Sequence, residues 1–374
     1  MNQKTRVAVL YGGKSGEHEV SLQSAASVIR YLDRERFEVI PVSIDKQGKW
    51  QWNDLRLIEQ ARANALPIFA DAPEMRLSAQ ADGRASLLPV TGSSTGFRDI
   101  DVFFPVMHGP LCEDGAVQGL LELADVAYVG SGILGSAMGM DKDVSKRLVS
   151  LAGIPIAPYV AVTKRNYERE PARWIEAARA KLTLPVFVKP CNMGSSVGVH
   201  KVKSWEALGA ALEDAFLYDL KVLIEQGIDA REIEVAVLDG DPLFTSVASE
   251  INASAQHEFY SYEAKYLDSD GATVDVPARL DEAQMARVRQ LAGEAFSVLE
   301  CSGLARVDFF LDRQSGDFIF NEINTLPGFT SISMYPKMME ASGVPYPELL
   351  SRLIELAQEK QAAKHGLKRD YDGA

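Results

Sequence analysis

Arg306, Asp308, Glu322 and Asn324 are the residues of this chain whose types and spacing most directly suggest chemistry. Leu304 to Asp312 and Asp317 to Asn324 are rich in Val, Phe and Ile, and Gln314-Ser315-Gly316 between them is a turn signal, so the two segments read as a β-hairpin. Side chains alternate faces along a strand. Arg306 and Asp308 therefore share one face and Glu322 and Asn324 share one face, leaving Val307, Phe309, Leu311, Ile319 and Ile323 to fill the other. If pairing brings the polar faces together, carboxylates, an amide oxygen and a guanidinium converge. Hard oxygen donors of this kind suit Mg²⁺, commonly held by one or two carboxylates plus substrate phosphates. An arginine beside them can hold a transferring phosphoryl group. A one-sided antiparallel sheet with ordinary surface charges has the same pattern, so the decision rests on the rest of the chain.

Further groups bear on it. Lys189-Pro190-Cys191-Asn192-Met193-Gly194-Ser195-Ser196-Val197-Gly198 places a lysine at a strand end before a Gly-Ser loop and another strand. Glycines let backbone N–H groups approach phosphate oxygens, although a flexible hairpin tip has the same composition. The Gly-Lys-Ser/Thr of a Walker loop is missing. Glu225 and Glu232 flank Gln226-Gly227-Ile228-Asp229, which reads as a hinge; carboxylates at such a seam can accept from a ribose or an adenine amine, or serve as strand-edge charge. Gly12-Gly13-Lys14-Ser15-Gly16-Glu17-His18-Glu19-Val20 follows a first strand but lacks the Gly-x-Gly-x-x-Gly fingerprint of dinucleotide sites. Glu17 there can meet a substrate ammonium or simply favour a helix N-terminus. His108 opens a loop after another strand, and Phe259-Tyr260-Ser261-Tyr262-Glu263-Ala264-Lys265-Tyr266 lies in a polar stretch that reads as a lid or an exposed loop.

The elements that must position these groups follow from periodicity. Val7 to Tyr11 is a buried strand, a helix begins near Ser15 to Glu17, and Val39 to Ile44 is a second strand, which opens an α/β domain with a parallel sheet. Residues 46–98 read as a helix with long loops. Asp101 to Met107 and Val126 to Val129 are further strands. Asp141 to Ser150 is helical, with Val144, Leu148 and Leu151 on one stripe. Pro185 to Pro190, Val199 to Val202 and Val222 to Glu225 are strands, with a helix over Trp205 to Leu217.

At 374 residues the chain is long enough for two or three domains. Its apolar runs are far shorter than a membrane span, and Val7 to Tyr11 is too short for a secretory core. The 3 cysteines are widely spaced and the 5 histidines form no His-x-x-x-His pair, so neither a disulfide framework nor a zinc site is expected, and a reducing cytoplasm is. A net charge of −13 argues against nucleic acid or an anionic membrane as partner.

Taken in order, Gly12-Gly13-Lys14-Ser15-Gly16-Glu17-His18-Glu19-Val20-Ser21, Met140-Asp141-Lys142, Lys189-Pro190 with Gly194 to Gly198, Glu263-Ala264-Lys265-Tyr266 and Asn321-Glu322-Ile323-Asn324-Thr325-Leu326-Pro327-Gly328-Phe329-Thr330 resemble the D-alanine–D-alanine ligase family of ATP-grasp enzymes, from Val7 to about Leu356. The resemblance implies an α/β fold with an α+β C-terminal part, in a three-domain ATP-grasp architecture with an N-terminal, Rossmann-like parallel-sheet domain. The domains would span 1–138, 139–227 and 228–374, with a lid at about 254–277. It implies ATP-dependent joining of two D-alanines through a D-alanyl phosphate, for peptidoglycan precursors, in a cytoplasmic homodimer associating through the N-terminal domain.

By the same resemblance, Lys142 and Lys189 would contact the phosphates under a loop carrying Ser195 and Ser196. Glu225, Gln226 and Ile228 would hold the adenine and Glu232 the ribose, with Phe259 and Lys265 also at the nucleotide. Asp308, Glu322 and Asn324 would bind a pair of Mg²⁺ ions, Mn²⁺ being an alternative, and K⁺ would activate. Glu17 would take the ammonium of the first D-alanine. Arg306 and the Gly328 N–H would face developing oxyanion charge. His108, Lys265, Ser333 and Met334 would line the substrates, and Tyr266 would link to Glu17 through Ser195 on closure. Cys112 stands where the family's histidine loop usually has glycine, and Met334 where some members have leucine. Tyr266 argues against depsipeptide-forming relatives that use D-lactate. The alternatives are a sister ligase using D-serine or D-lactate, a catalytically idle binding protein and, weakest, a nicotinamide-dependent dehydrogenase.

Overall fold

The computed structural model describes residues 4–61, 64–69, 71–80, 84–90, 98–253, 272–330 and 332–368. The first sheet starts from β1 (Thr5–Gly12), whose apolar run leaves both faces to be covered. β1 pairs in parallel with β2 (Phe37–Ile44) and β7 (Val102–Pro105), and β7 with β8 (Ala127–Tyr128). Val7, Val9 and Tyr11 pack on one face against α1 (His18–Tyr31) and against the C-terminal helices Met334–Ala341 and Tyr346–His365, through Tyr335, Met338, Leu350 and Leu353. Ala8, Leu10 and Phe103 pack on the other, with Val117 and Leu121 of α3 (Ala116–Leu123). A parallel sheet needs helices on both faces, and one of its covers here comes from the far end of the chain.

Residues 46–98 depart from the expectation of a helix with long loops. α2 (Leu55–Ala61) is present, but β3 (Trp50–Trp52), β4 (Glu74–Ala79), β5 (Ala85–Pro89) and β6 (Arg98–Ile100) extend the sheet with antiparallel strands. These strands are short, and the Pro, Gly, Ser and Ala clusters that suggested loops belong to the links between them. Met75 and Leu87 are buried, the trace of one-sided strands.

Two helices connect this sheet to the rest: α4 (Ile133–Met140) and α5 (Lys142–Leu151). Asp141 caps α5, its Oδ1 accepting from the Asp143 and Val144 N–H groups, both at 3.1 Å. The stripe of Val144, Leu148 and Leu151 is not the buried face: Leu151 is 86 % exposed, and Asp143, Ser145, Lys146 and Val149 point inward. The inward face is mixed: Val149, with Leu148 beside it, packs on the C-terminal core, while Asp143 and Lys146 turn toward charged and carbonyl partners.

Two antiparallel sheets follow. β9 (Tyr159–Thr163), β10 (Val186–Pro190), β11 (His200–Val202) and β12 (Lys221–Gln226) run in the order β11-β10-β12-β9, backed by α6 (Lys164–Arg169), α7 (Pro171–Lys181) and α8 (Leu208–Ala215). β13 (Ala230–Leu238), β14 (Phe244–Ala253), β15 (Ala272–Asp275), β16 (Leu304–Asp312) and β17 (Phe318–Asn324) run β15-β14-β13-β16-β17, backed by the helix Glu282–Val298.

The β16–β17 hairpin forms as the sequence predicts, pairing Arg306 with Asn324 and Asp308 with Glu322. One detail differs. The register shifts between Asp308 and Phe309, so that Phe309 pairs with Phe320 and Asn321 is extra. A bulge of this kind flips the alternation of the strand beyond it. Phe318 and Phe320 therefore enter the core with Ile323, and Ile319 does not.

Candidate active site

Three walls meet at the cleft. The first is the loop after β1 and the start of α1. Ser15 Oγ donates to the His108 carbonyl at 2.6 Å, and the Glu17 N–H donates to Ser15 Oγ at 3.2 Å, which pins Glu17 between two loops that leave strand ends. Ser195 Oγ donates to Glu17 Oε1. Gly109 and Gly194 crowd the same carboxylate: a Cβ on either would lie 2.7 Å or 2.8 Å from Glu17 Oε2. The pocket around Glu17 is thus shaped by backbone on two sides and a hydroxyl on a third.

His108 does not project as a free binding group. It is buried, its Nδ1 pairs with the Leu326 carbonyl at 3.0 Å and its Nε2 with Ser24 Oγ at 3.1 Å. Burial works against its protonated form, but Glu113, Glu17 and the Leu326 carbonyl together raise its pKa above the usual imidazole range. Its ring ties the N-terminal sheet to the Leu326 loop. Cys112 is buried, and burial pushes its thiol up; it lies where a Cβ on Gly13 would be 3.2 Å from its Sγ.

The second wall carries the lysines. Lys142 Nζ lies 3.0 Å from Glu322 Oε2 and donates to the Met193 carbonyl at 2.8 Å, joining α5, β17 and the Gly-Ser loop. Burial disfavours this ammonium, and Glu322 more than offsets that, so its pKa is raised. Lys189, at the end of β10, pairs with Glu225 and donates to Asn321 Oδ1 at 3.3 Å. Ser195 and Ser196 both adopt left-handed backbone, at φ 52° and 59°, in the turn that covers these groups. Such consecutive turns direct N–H groups into a concave, anion-accepting curve. Gln226 Oε1 accepts from the Thr183 N–H at 2.7 Å, and its own N–H donates to the Pro158 carbonyl at 2.8 Å, which fixes the strand end before Ile228. Glu232 is half-buried on β13.

The third wall is the hairpin. Arg306 donates Nε to Asp308 Oδ1 and an Nη to Asp308 Oδ2, each at 2.7 Å, and its Nε lies 3.1 Å from Glu234 Oε1. Asn324 Nδ2 donates to Asp308 Oδ2 at 3.0 Å. Burial pushes the Asp308 carboxyl up; Arg306 opposes this, but Glu234 and Glu322 add to it, leaving a value of about 7. The hairpin face thus carries more carboxylate charge than Arg306 alone balances, and Lys142 pairs with Glu322 at its edge. Ser333 Oγ accepts from the Thr330 N–H at 2.9 Å and lies 2.8 Å from where a Gly328 Cβ would stand, so a side chain at 328 would displace the serine hydroxyl. Met334 is partly buried against the N-terminal core.

Phe259, Lys265 and Tyr266 lie outside the described residues. Of the other expected site residues, Glu17, Ser195, Lys142, Lys189, Glu225, Arg306, Asp308, Glu322 and Asn324 are joined by the contacts above, whereas His108 is turned away, Glu225 is sealed beneath Lys189 and Met334 packs on the N-terminal core. Glu234, Lys146 and Glu113 were missed. Glu234 was detectable as the next same-face residue after Glu232 on a strand, and Lys146 as one helical turn beyond Lys142.

Two antiparallel sheets closing over a cleft, with lysines on one and carboxylates on the other, define an ATP-grasp fold. Residues 6–131 match the family described as D-ala D-ala ligase N-terminus, and residues 148–355 the one described as D-ala D-ala ligase C-terminus. The D-alanine--D-alanine ligase A of Bradyrhizobium diazoefficiens is 68 % identical over 371 residues, covering 99 % of this chain and 100 % of that protein. Among solved structures, D-alanyl-alanine synthetase A of Vibrio cholerae is 32 % identical with a TM-score of 0.81, covering 96 % of this chain and 100 % of that one. The VanG D-Ala:D-Ser ligase of Enterococcus faecalis is 36 % identical with a TM-score of 0.78, covering 95 % and 100 %. The chain belongs to the D-ala D-ala ligase family.

Proposed function

We propose that this protein joins two molecules of D-alanine to D-alanyl-D-alanine, with ATP converted to ADP and phosphate through a D-alanyl phosphate, for peptidoglycan precursor synthesis. The observation that carries the reading is the meeting, in one cleft, of the Glu17 carboxylate with lysines and a carboxylate–arginine face, in a chain of this family. Glu17 holds the ammonium of the first D-alanine. The carboxylate oxygen of that D-alanine attacks the γ-phosphorus, the bond to the β-phosphate oxygen breaks, and ADP leaves an acyl phosphate. The second D-alanine, as a free amine, attacks the acyl carbon; the C–N bond forms, phosphate departs with the C–O bond electrons, and the nitrogen sheds its proton.

Lys142 and Lys189 neutralise phosphate oxygens, with Ser195 and Ser196 in the covering loop. Arg306 and the Gly328 N–H face oxyanion charge as it develops. Glu225, Gln226 and Ile228 hold the adenine and Glu232 the ribose, with Phe259 and Lys265 beside the nucleotide. Lys265, Ser333 and Met334 receive the second D-alanine, and Tyr266 closes onto Ser195, keeping water from the acyl phosphate. His108 orders the loop beneath Glu17. Asp308, Glu322 and Asn324 form an all-oxygen donor set with excess negative charge, which fits Mg²⁺ or Mn²⁺. The bound ions would supply charge neutralisation at the transferring phosphate.

The reading divides the chain at 1–138, 139–227 and 228–374, with a lid at about 254–277. It includes K⁺ activation, a cytoplasmic homodimer through the N-terminal domain, and no nucleic-acid or membrane partner; among the described residues no helix is long and apolar enough to cross a membrane. The test is ADP release with Mg²⁺, K⁺ and ATP, adding D-alanine alone, L-alanine, or D-serine or D-lactate with D-alanine, with products identified by mass. D-alanine-dependent turnover to the D,D-dipeptide supports the proposal. Turnover only with a mixed pair would move the second substrate, and none at all would overturn the reaction. Equal rates in Na⁺ would remove K⁺, and a concentration-independent monomer in sedimentation would remove the dimer.

A further inference from the structure

Lys146 has no part in the reaction above, yet it is 0 % exposed at the back of the cleft. Its Nζ lies 2.6 Å from Glu225 Oε1 and donates to the Phe320 carbonyl at 3.2 Å. The other oxygen of Glu225, itself 1 % exposed, takes Lys189. One buried carboxylate therefore carries two ammonium groups. The two lysines are not equivalent. Lys189 borders the cleft, with 12 % of its side chain exposed, whereas Lys146 is sealed between α5, β12 and β17 and cannot reach a ligand.

We propose that Lys146 is a positioning residue for the nucleotide: it stays on Glu225 at the sealed end of the cluster, so that Lys189 can leave that carboxylate for a phosphate oxygen. The proposal rests on the assignment of this cleft to ATP. If Glu225 had Lys189 as its sole partner, the pair would be closed and neutral. Moving Lys189 to a phosphate would then strand a buried carboxylate, and removing one partner of a buried pair is strongly unfavourable. With Lys146 in place the cluster carries a surplus positive charge, and only Lys189 can present it to an anion. Burial alone would raise the Glu225 pKa, but Lys146 and then Lys189 hold it down at about 2, so the carboxylate stays ionised. Lys146 also follows Lys142 by one turn of α5, so the same helix fixes Glu225 and reaches Glu322.

The test is calorimetric binding of adenylyl imidodiphosphate with Mg²⁺ to the full chain, as wild type, Lys146→Met, Glu225→Gln and the double variant. Lys146→Met is expected to weaken binding about tenfold or more, as the loss of one ion of a buried pair would. Its KM for ATP should rise while kcat at saturating ATP holds. Because Lys146 acts through Glu225, the double variant should bind as Glu225→Gln does. Wild-type affinity in Lys146→Met, or the same weakening in both backgrounds, would overturn the proposal. If Lys146→Met alone fails to fold, the two variants lacking the Glu225 charge decide it: equal affinities support it and a tenfold gap refutes it. Failure of the ligase reading would look different, as a wild type that binds the analogue but shows no D-alanine-dependent turnover.

Discussion

Replacing Asp308 by Asn should abolish ligation and yet stabilise the metal-free protein at neutral and alkaline pH. Asp308 is buried, and Glu234 and Glu322 lie with it around Arg306. Burial and those carboxylates raise its pKa from 3.8 to about 7 against the pull of Arg306. A carboxyl whose folded pKa is raised binds its proton more tightly in the folded state. Its contribution to stability is full below the unfolded value and is lost as pH rises through the folded one. With each pKa unit corresponding to about 1.4 kcal/mol, the loss between pH 4 and pH 7 is on the order of a few kcal/mol. Asn mimics the protonated acid and does not titrate. The assay is thermal unfolding in EDTA at pH 5 and pH 8. Asp308→Asn should exceed the wild type at pH 8, and the gap should narrow at pH 5. Mg²⁺ at pH 8 should raise the wild-type midpoint more than that of the variant, because the ion replaces the missing proton. An Asp308→Asn protein less stable than wild type by the same margin at both pH values would refute the charge-excess argument.

Other perturbations separate chemistry from packing. Glu322→Gln should lose ligation by orders of magnitude while circular dichroism shows an intact fold, since the carboxylate is needed for the metal and for Lys142; retained activity would defeat the metal assignment. Gly194→Ala would place a Cβ 2.8 Å from Glu17 Oε2 at a backbone conformation that alanine accepts, so KM for D-alanine should rise with little change in melting temperature. Phe320→Ala removes a fully buried ring stacked edge-on with Phe309 at 6.1 Å and should cost about 3–5 kcal/mol in stability, read by thermal unfolding.

Much of the site was legible because it depends on local rules. The polar face of the hairpin follows from strand alternation around Arg306 and Asp308, and the turn at Gln314-Ser315-Gly316 brings that strand back beside Glu322 and Asn324, with the bulge at Asn321 setting the final pairing. Glu17 and His108 were singled out because they sit in loops leaving parallel strands at their carboxyl ends, the usual ligand position in such sheets, and their roles came from the family resemblance. The structure then distinguishes the two: the Glu17 carboxylate accepts from the Ser195 hydroxyl and faces Gly109 and Gly194, whereas both His108 ring nitrogens are engaged by Leu326 and Ser24.

What stayed hidden was decided by contacts distant in sequence. Nothing near β1 announces that Tyr335 and Leu353 will cover one face of its sheet, because that cover is a tertiary outcome of helices more than three hundred residues away. The stripe on α5 failed for a related reason. Periodicity assigns the buried face to the apolar side, but α5 abuts Glu225, Phe320 and Glu322, and a lysine that finds a carboxylate and a carbonyl can be buried where Leu151 is not. The bulge at Asn321 combines both effects. It turns Phe318 and Phe320 inward, keeps Glu322 and Asn324 facing Asp308 and Arg306, and leaves Asn321 Oδ1 for Lys189. Strict alternation would have put Phe318 and Phe320 on the same face as Glu322 and Asn324. The extra residue lets one strand serve an apolar core at its start and a charged site at its end.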